Sequence, residues 1–221
     1  MQNTDNAYIK TYPDLMAGKK IMYVHGFGSS GQSGTVARLR EMLTGADVIA
    51  PDLPIHPVEA MELLKRMCEV ERPDLIIGTS MGGMYAEMLR GYDRILLNPA
   101  FRIGDDILKH NMLGKVTFYS PRSDGMKEFM MTKQLQAEYQ EMSEHCFSGI
   151  TADEQKKVWG LFGLEDPVVH TYDLFAAHYR QALHFHGEHR MNDGVLIHSV
   201  MPVIRWIDDC QHGRQRGIVY I

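Results

Sequence analysis

Cysteine is scarce in this chain: Cys68, Cys146 and Cys210 are the only three in 221 residues. They are widely spaced and form no Cys-x-x-Cys pair, which excludes a zinc ribbon or a disulfide framework. No stretch approaches the roughly 18 apolar residues that a membrane span requires. Met1 to Lys20 is polar and lacks the apolar run of a secretory signal. A reduced, cytoplasmic globular protein with no membrane partner is the expectation. Positive charge is also short. There are 23 Lys and Arg against 28 Asp and Glu, a net charge of −5, and basic residues form no runs. That excludes the electrostatic footprint of a nucleic-acid binder. What is present suits a single core: 44% hydrophobic and 23% charged residues, in a chain long enough to bury about 70% of its unfolded surface. Two residue types are in excess, 16 Met and 11 His. Methionine fills irregular apolar gaps and suits both cores and pockets.

Short apolar runs rich in β-formers alternate with helical periodicity. Ile21-Met22-Tyr23-Val24 reads as a strand, followed by a Gly/Ser loop and a helix over 35–43. A strand at Asp47-Val48-Ile49-Ala50 ends in the turn Pro51-Asp52-Leu53-Pro54. Val58, Met61, Leu64, Met67 and Cys68 share one face of a helix over 58–70. Strands at 75–77 and 95–97 flank a helix at 83–90. This order predicts βαβ units and a mostly parallel sheet with helices on both faces. Between 102 and 155 the alternation breaks. Helices are expected at 103–112 and 126–145, forming a small helical cap within one domain spanning 1–221. Strand–helix order then returns: a strand at 158–162, a helix at 168–179, a short strand at 183–185 and a helix at 193–210.

Gly78-Thr79-Ser80-Met81-Gly82 is a G-x-S-x-G element, with a strand leading in and a helix leading out. A nucleophile elbow needs that strand-to-helix turn, which lifts the serine hydroxyl above the sheet. Such a hydroxyl is a poor nucleophile at neutral pH without a histidine base held by a carboxylate. Asp166 and His189 follow Ser80 in the chain order this architecture uses, each just past a predicted strand. Glu165 is the rival acid, and His184 and His186 are rival bases. Oxyanion donors are expected from the backbone amides of Phe27, in His25-Gly26-Phe27-Gly28, and of Met81. His25, Gly26 and Tyr85 are expected at the substrate, with His25 more suited to bracing the loop than to moving protons. Phe27, Met81, Met84, Tyr85, Met126, Met130 and Met131 are candidates for an apolar acyl pocket.

Four motifs occur in order: Tyr23-Val24-His25-Gly26-Phe27-Gly28-Ser29-Ser30, Pro51-Asp52-Leu53-Pro54, Gly78-Thr79-Ser80-Met81-Gly82-Gly83 and Leu97-Asn98-Pro99-Ala100. Together they resemble the small bacterial α/β-hydrolases of the YqiA/YcfP esterase type, over about residues 21–208. The resemblance implies an α/β-hydrolase fold and a Ser-His-Asp esterase or thioesterase acting on short acyl chains. It implies no metal or redox cofactor. Residues 102–155 match poorly, and Glu188 stands where the family often has an asparagine before the histidine. With its first clear strand at Ile21, the chain reads as an α/β-hydrolase trimmed of leading strands.

Two other chemistries compete, along with a non-catalytic binding protein on the same fold. Gly26-x-Gly28-x-x-Gly31, with Asp52 downstream, fits a dinucleotide fingerprint. However, the Tyr-x-x-x-Lys pair of short-chain dehydrogenases is missing from the chain, and an oxidoreductase reading leaves Ser80, Asp166 and His189 without a role. His184-Phe185-His186-Gly187-Glu188-His189 echoes a zinc-ligand run, but it lies late in the chain with only His198 and His212 after it.

Overall fold

The computed structural model describes residues 10–214. Its main sheet is built from β1 (Lys20–Val24), β2 (Asp47–Ile49), β3 (Leu75–Thr79), β4 (Arg94–Leu97), β7 (Val158–Gly163) and β8 (Gln181–Phe185). The strand order is β2-β1-β3-β4-β7-β8 and every pairing is parallel. Among the described residues, no strand precedes β1. The apolar runs alternate between two cores because successive side chains leave opposite faces of a strand. Met22, Val24, Ile76 and Leu96 face one core. Ile21, Tyr23, Leu75, Ile77, Ile95 and Leu97 face the other. Strands buried on both sides in this way read as continuous apolar segments.

Helices α2 (Pro57–Glu71) and α3 (Met81–Met88) cover the first face, and α1 (Gly34–Met42) covers the second. After β8, a short α8 (Asp193–Val195) runs through a π-turn at Leu196–Val200 into α9 (Met201–Gln211), also on the second face. Residues 193–211 thus follow the expected helix, with one π-turn inside it. The helix expected at 168–179 is only α7 (Tyr172–Ala176). Ahead of it, the Val168 and Val169 amides are bound to the Asp166 carboxylate.

The insertion differs from expectation. It holds α4 (Ile103–Lys109), a hairpin of β5 (Gly114–Thr117) and β6 (Glu128–Met131), α5 (Lys133–Ser143) and α6 (Ala152–Lys156). The expected helix over 126–145 is therefore divided into a four-residue strand, Glu128–Met131, and the helix Lys133–Ser143. Phe129-Met130-Met131 pairs with Gly114-Lys115-Val116, and Thr132 starts α5 by accepting a hydrogen bond from the Leu135 amide at 3.0 Å. A threonine cap at that point divides the apolar run into a strand and a helix. A buried ion pair joins the insertion to the sheet, and a buried carboxylate joins it to α3. Arg94 pairs with Glu154, and Glu87 on α3 accepts from Arg90, Tyr179 and the Phe147 amide.

Candidate active site

All three predicted triad residues stand just past the carboxyl ends of strands: Ser80 after β3, Asp166 after β7 and His189 after β8. Open α/β sheets bind ligands at this edge. Ser80 sits at φ +53°, ψ −120°, a strained conformation that a side chain tolerates only where its surroundings enforce it. The flanking glycines permit it. A Cβ on Gly78 would lie 2.3 Å from the Gly82 carbonyl oxygen, and one on Gly82 would lie 2.0 Å from that of Val24. The G-x-S-x-G spacing is therefore a packing requirement of this turn.

The three side chains form one hydrogen-bonded line. His189 Nε2 is 3.0 Å from Ser80 Oγ, and His189 Nδ1 is 2.7 Å from Asp166 Oδ2. The other Asp166 oxygen accepts from the amides of Val168 at 2.7 Å and Val169 at 3.1 Å. Burial pushes the Asp166 carboxyl upward, but hydrogen bonds from His189 and the two amides outweigh it and hold the group below its ordinary range. Nδ1 then carries the proton toward Asp166, which leaves Nε2 as an acceptor for the Ser80 proton.

The rivals have other partners. Glu165 accepts from the Gly187 amide and pairs with His186 at 3.2 Å, both in solvent. His184 stacks on Tyr172 with ring centroids 4.0 Å apart. The zinc-like run therefore points to three separate neighbours, and no group of three metal-ligating side chains occurs among the described residues. Burial raises the thiols of Cys68, to about 11, and of Cys146.

The loop after β1 approaches the nucleophile closely: a Cβ on Gly26 would lie 3.3 Å from Ser80 Cβ. Met81 opens α3, where the first amides of a helix have no intrahelical acceptor. Phe27, half-buried, makes edge contacts with Phe129 at 5.7 Å and Tyr139 at 6.2 Å. His25 is the brace of this loop. One ring nitrogen bonds the Gly26 carbonyl at 2.9 Å and the other accepts from the Leu53 amide at 3.1 Å, leaving neither for a substrate. Burial lowers its pKa to about 4, so the ring is neutral. Tyr85, also expected at the substrate, is wholly enclosed in the core. Of the methionine candidates, Met84 and Met131 are core residues, while Met126 and Met130 are exposed.

The family model described as "Uncharacterised protein family (UPF0227)" matches residues 20–193, most of the chain. The chain belongs to the UPF0227 family. This agrees with the YqiA/YcfP type that the motifs resemble. Among solved structures, the structure of this UPF0227 protein is similar to that of a protein from Agrobacterium vitis S4, described there as a hydrolase, at 16% identity and a TM-score of 0.56, covering 86% of this chain and 87% of that one. Est1E from Butyrivibrio proteoclasticus gives 17% identity and a TM-score of 0.55, covering 91% and 90%.

 A thioesterase domain from the curacin biosynthetic pathway gives 15% identity and a TM-score of 0.50, covering 89% of this chain and 92% of that one. At these identities the likeness is one of fold, and the fold is that of the α/β-hydrolases. No helix among the described residues is long and apolar enough to cross a membrane.

Two features of the site escaped the sequence reading. The first is a strap on the loop after β1. Asp52, a ribose-binding candidate on sequence grounds, accepts from the Gly31 amide at 2.8 Å and from the Ser123 amide and hydroxyl. Arg122 donates to the Leu53 carbonyl at 3.0 Å, and Ser30 donates to that of Pro121 at 2.7 Å. The hairpin of the UPF0227 protein is thereby fastened to the Gly26–Gly31 loop, and Asp52 is engaged in that fastening. The residues of the Pro121–Gly125 turn look like ordinary loop in the sequence, and only the fold brings them to Asp52. The second feature is Asn98, at the end of β4, whose side chain reaches both the acid and the base loops. The insertion also borders a cavity of about 330 Å³, lined by Phe101, Arg102, Asp105, Ser143, Glu144 and Phe147 among others.

Proposed function

We propose that this protein is a serine hydrolase that cleaves small acyl esters or thioesters through an acyl-enzyme. The observation that carries this reading is the continuous line Ser80–His189–Asp166, with bonds of 3.0 Å and 2.7 Å, standing on a strained elbow. Ser80 Oγ attacks the substrate carbonyl while His189 Nε2 takes its proton. The negative charge that develops on the carbonyl oxygen is held by the amides of Phe27 and Met81. Asp166 stabilises the imidazolium that forms and fixes its orientation. His189 then protonates the leaving alcohol or thiol. Water, deprotonated by the same ring, releases the acid and restores Ser80.

This chemistry calls on no metal and no redox cofactor. The aromatic ring of Phe27, packed against Phe129 and Tyr139 beside the oxyanion loop, favours an apolar acyl group. A cytoplasmic setting suits the three free cysteines. The test is labelling by a fluorophosphonate probe, together with hydrolysis of p-nitrophenyl esters of graded acyl length. The wild type should label and turn over, and Ser80→Ala should do neither while keeping its fold. Stoichiometric labelling of Ser80→Ala would reject the assignment.

A further inference from the structure

Asn98 ends β4, the strand lying between β3, which leads to the nucleophile, and β7, which leads to the acid. Its side chain is buried and its backbone has φ +43°, a left-handed conformation that asparagine tolerates better than most residues. From there its side chain bridges two loops. Oδ1 accepts from the Gly163 amide at 2.7 Å, and Nδ2 donates to the carbonyls of Glu188 at 3.1 Å and His189 at 3.3 Å. The partners fix the orientation of the amide, since an N–H must meet its oxygen and carbonyls must meet its NH₂.

The neighbouring backbone completes the clamp. Ser80 N donates to the Leu97 carbonyl at 3.0 Å, and Ala100 N donates to the Ser80 carbonyl at 2.9 Å. The Pro99 carbonyl accepts from Thr171 Oγ1 at 2.7 Å. Four consecutive residues are thus bonded to the nucleophile, to chain on both sides of Asp166, and to the base.

We propose that Asn98 is a positioning residue for the hydrolytic site, setting the spacing between the Asp166 and His189 loops; this inference rests on the hydrolase reading above. The ladder between β7 and β8 ends at Gly163 and Phe185, so beyond that point His189 depends on loop contacts for its place. Asn98 supplies two of them directly to the 188–189 backbone. A displacement of the base by about 1 Å costs on the order of 10²-fold in rate.

Two variants test this. Asn98→Asp keeps the size of the side chain and the acceptor for Gly163, but sets a carboxylate oxygen against two carbonyls. Asn98→Gly keeps the left-handed backbone and removes the bridge. The measurements are kcat and KM for p-nitrophenyl butyrate, the far-downfield proton resonance of the His189–Asp166 bond, and circular dichroism with a thermal melt. Both variants should fold and lose about 10²-fold in kcat with KM within about threefold of wild type, and their downfield proton should broaden or vanish. A folded variant with kcat within about threefold of wild type would overturn the proposal. So would a loss of kcat with the downfield proton unchanged. If neither variant folds, Asn98 is a residue of the fold and the positioning role is wrong. Ser80→Ala run in parallel separates the two readings. Full activity in Ser80→Ala sinks the hydrolase reading, whereas a dead Ser80→Ala beside a fully active Asn98→Gly sinks only this inference.

Discussion

Replacing Asp166 by Asn changes one atom and reverses the direction of one hydrogen bond. In the wild type, His189 Nδ1 donates to Asp166 Oδ2 over 2.7 Å, while the other carboxylate oxygen accepts from two amides. The asparagine carbonyl will stay with the Val168 and Val169 amides, because those donors need an acceptor. Its NH₂ must then face His189 Nδ1, which can meet it only as an acceptor. The ring proton moves to Nε2, the nitrogen 3.0 Å from Ser80 Oγ. A nitrogen that already carries a proton cannot take the one from serine. The expected loss in kcat is about 10⁴-fold, the cost seen for the same substitution in the serine-protease triad. That corresponds to about 5 kcal/mol of transition-state stabilisation. KM for p-nitrophenyl butyrate should hardly move, since no contact with the acyl group changes. Steady-state kinetics, with a thermal melt to verify folding, provide the assay. A folded Asp166→Asn with kcat within about tenfold of wild type would refute the tautomer argument and move the acid role to Glu165.

Two other outcomes follow from the same geometry. His25 is neutral in the fold, with its pKa lowered to about 4 from 6.5 by burial. The unfolded chain therefore binds a proton between those values that the folded chain does not, and stability should fall as pH drops from about 6.5 toward 4. Urea unfolding at several pH values should show a steeper loss over this window in wild type than in His25→Asn, and equal slopes would argue against the buried neutral ring. Asp52→Ala should release the hairpin turn at Ser123 from the Gly31 loop. Proteolysis between Ser123 and Gly125 should accelerate, and kcat should fall about tenfold through a looser oxyanion loop; unchanged proteolysis would show that the strap does not hold the hairpin.

The sheet and elbow were legible because their signals are local. Strand–helix alternation, the glycines around Ser80 and the order of Ser80, Asp166 and His189 all lie along the chain. The hairpin was not legible. Phe129-Met130-Met131 has the composition of either a strand or a helix, and its pairing with residues 114–117 depends on a partner more than ten residues away. The substrate contacts expected of His25 and Tyr85 fail for a related reason, although His25 does brace its loop as expected. Both stand near the right motifs, yet one is consumed by backbone bonds and the other is sealed within the core.

The sequence by itself determined the parallel sheet, the turn that exposes Ser80 and the residues able to act as base and acid, because periodicity and steric need are written residue by residue. Only the tertiary structure decided that Asp166 rather than Glu165 faces His189. It likewise decided that Asp52 fastens a hairpin and that Asn98 spans two loops. The physical reason is that these are hydrogen bonds between segments 20 to 90 residues apart. Their partners are chosen by strand order in the sheet, which no local pattern encodes.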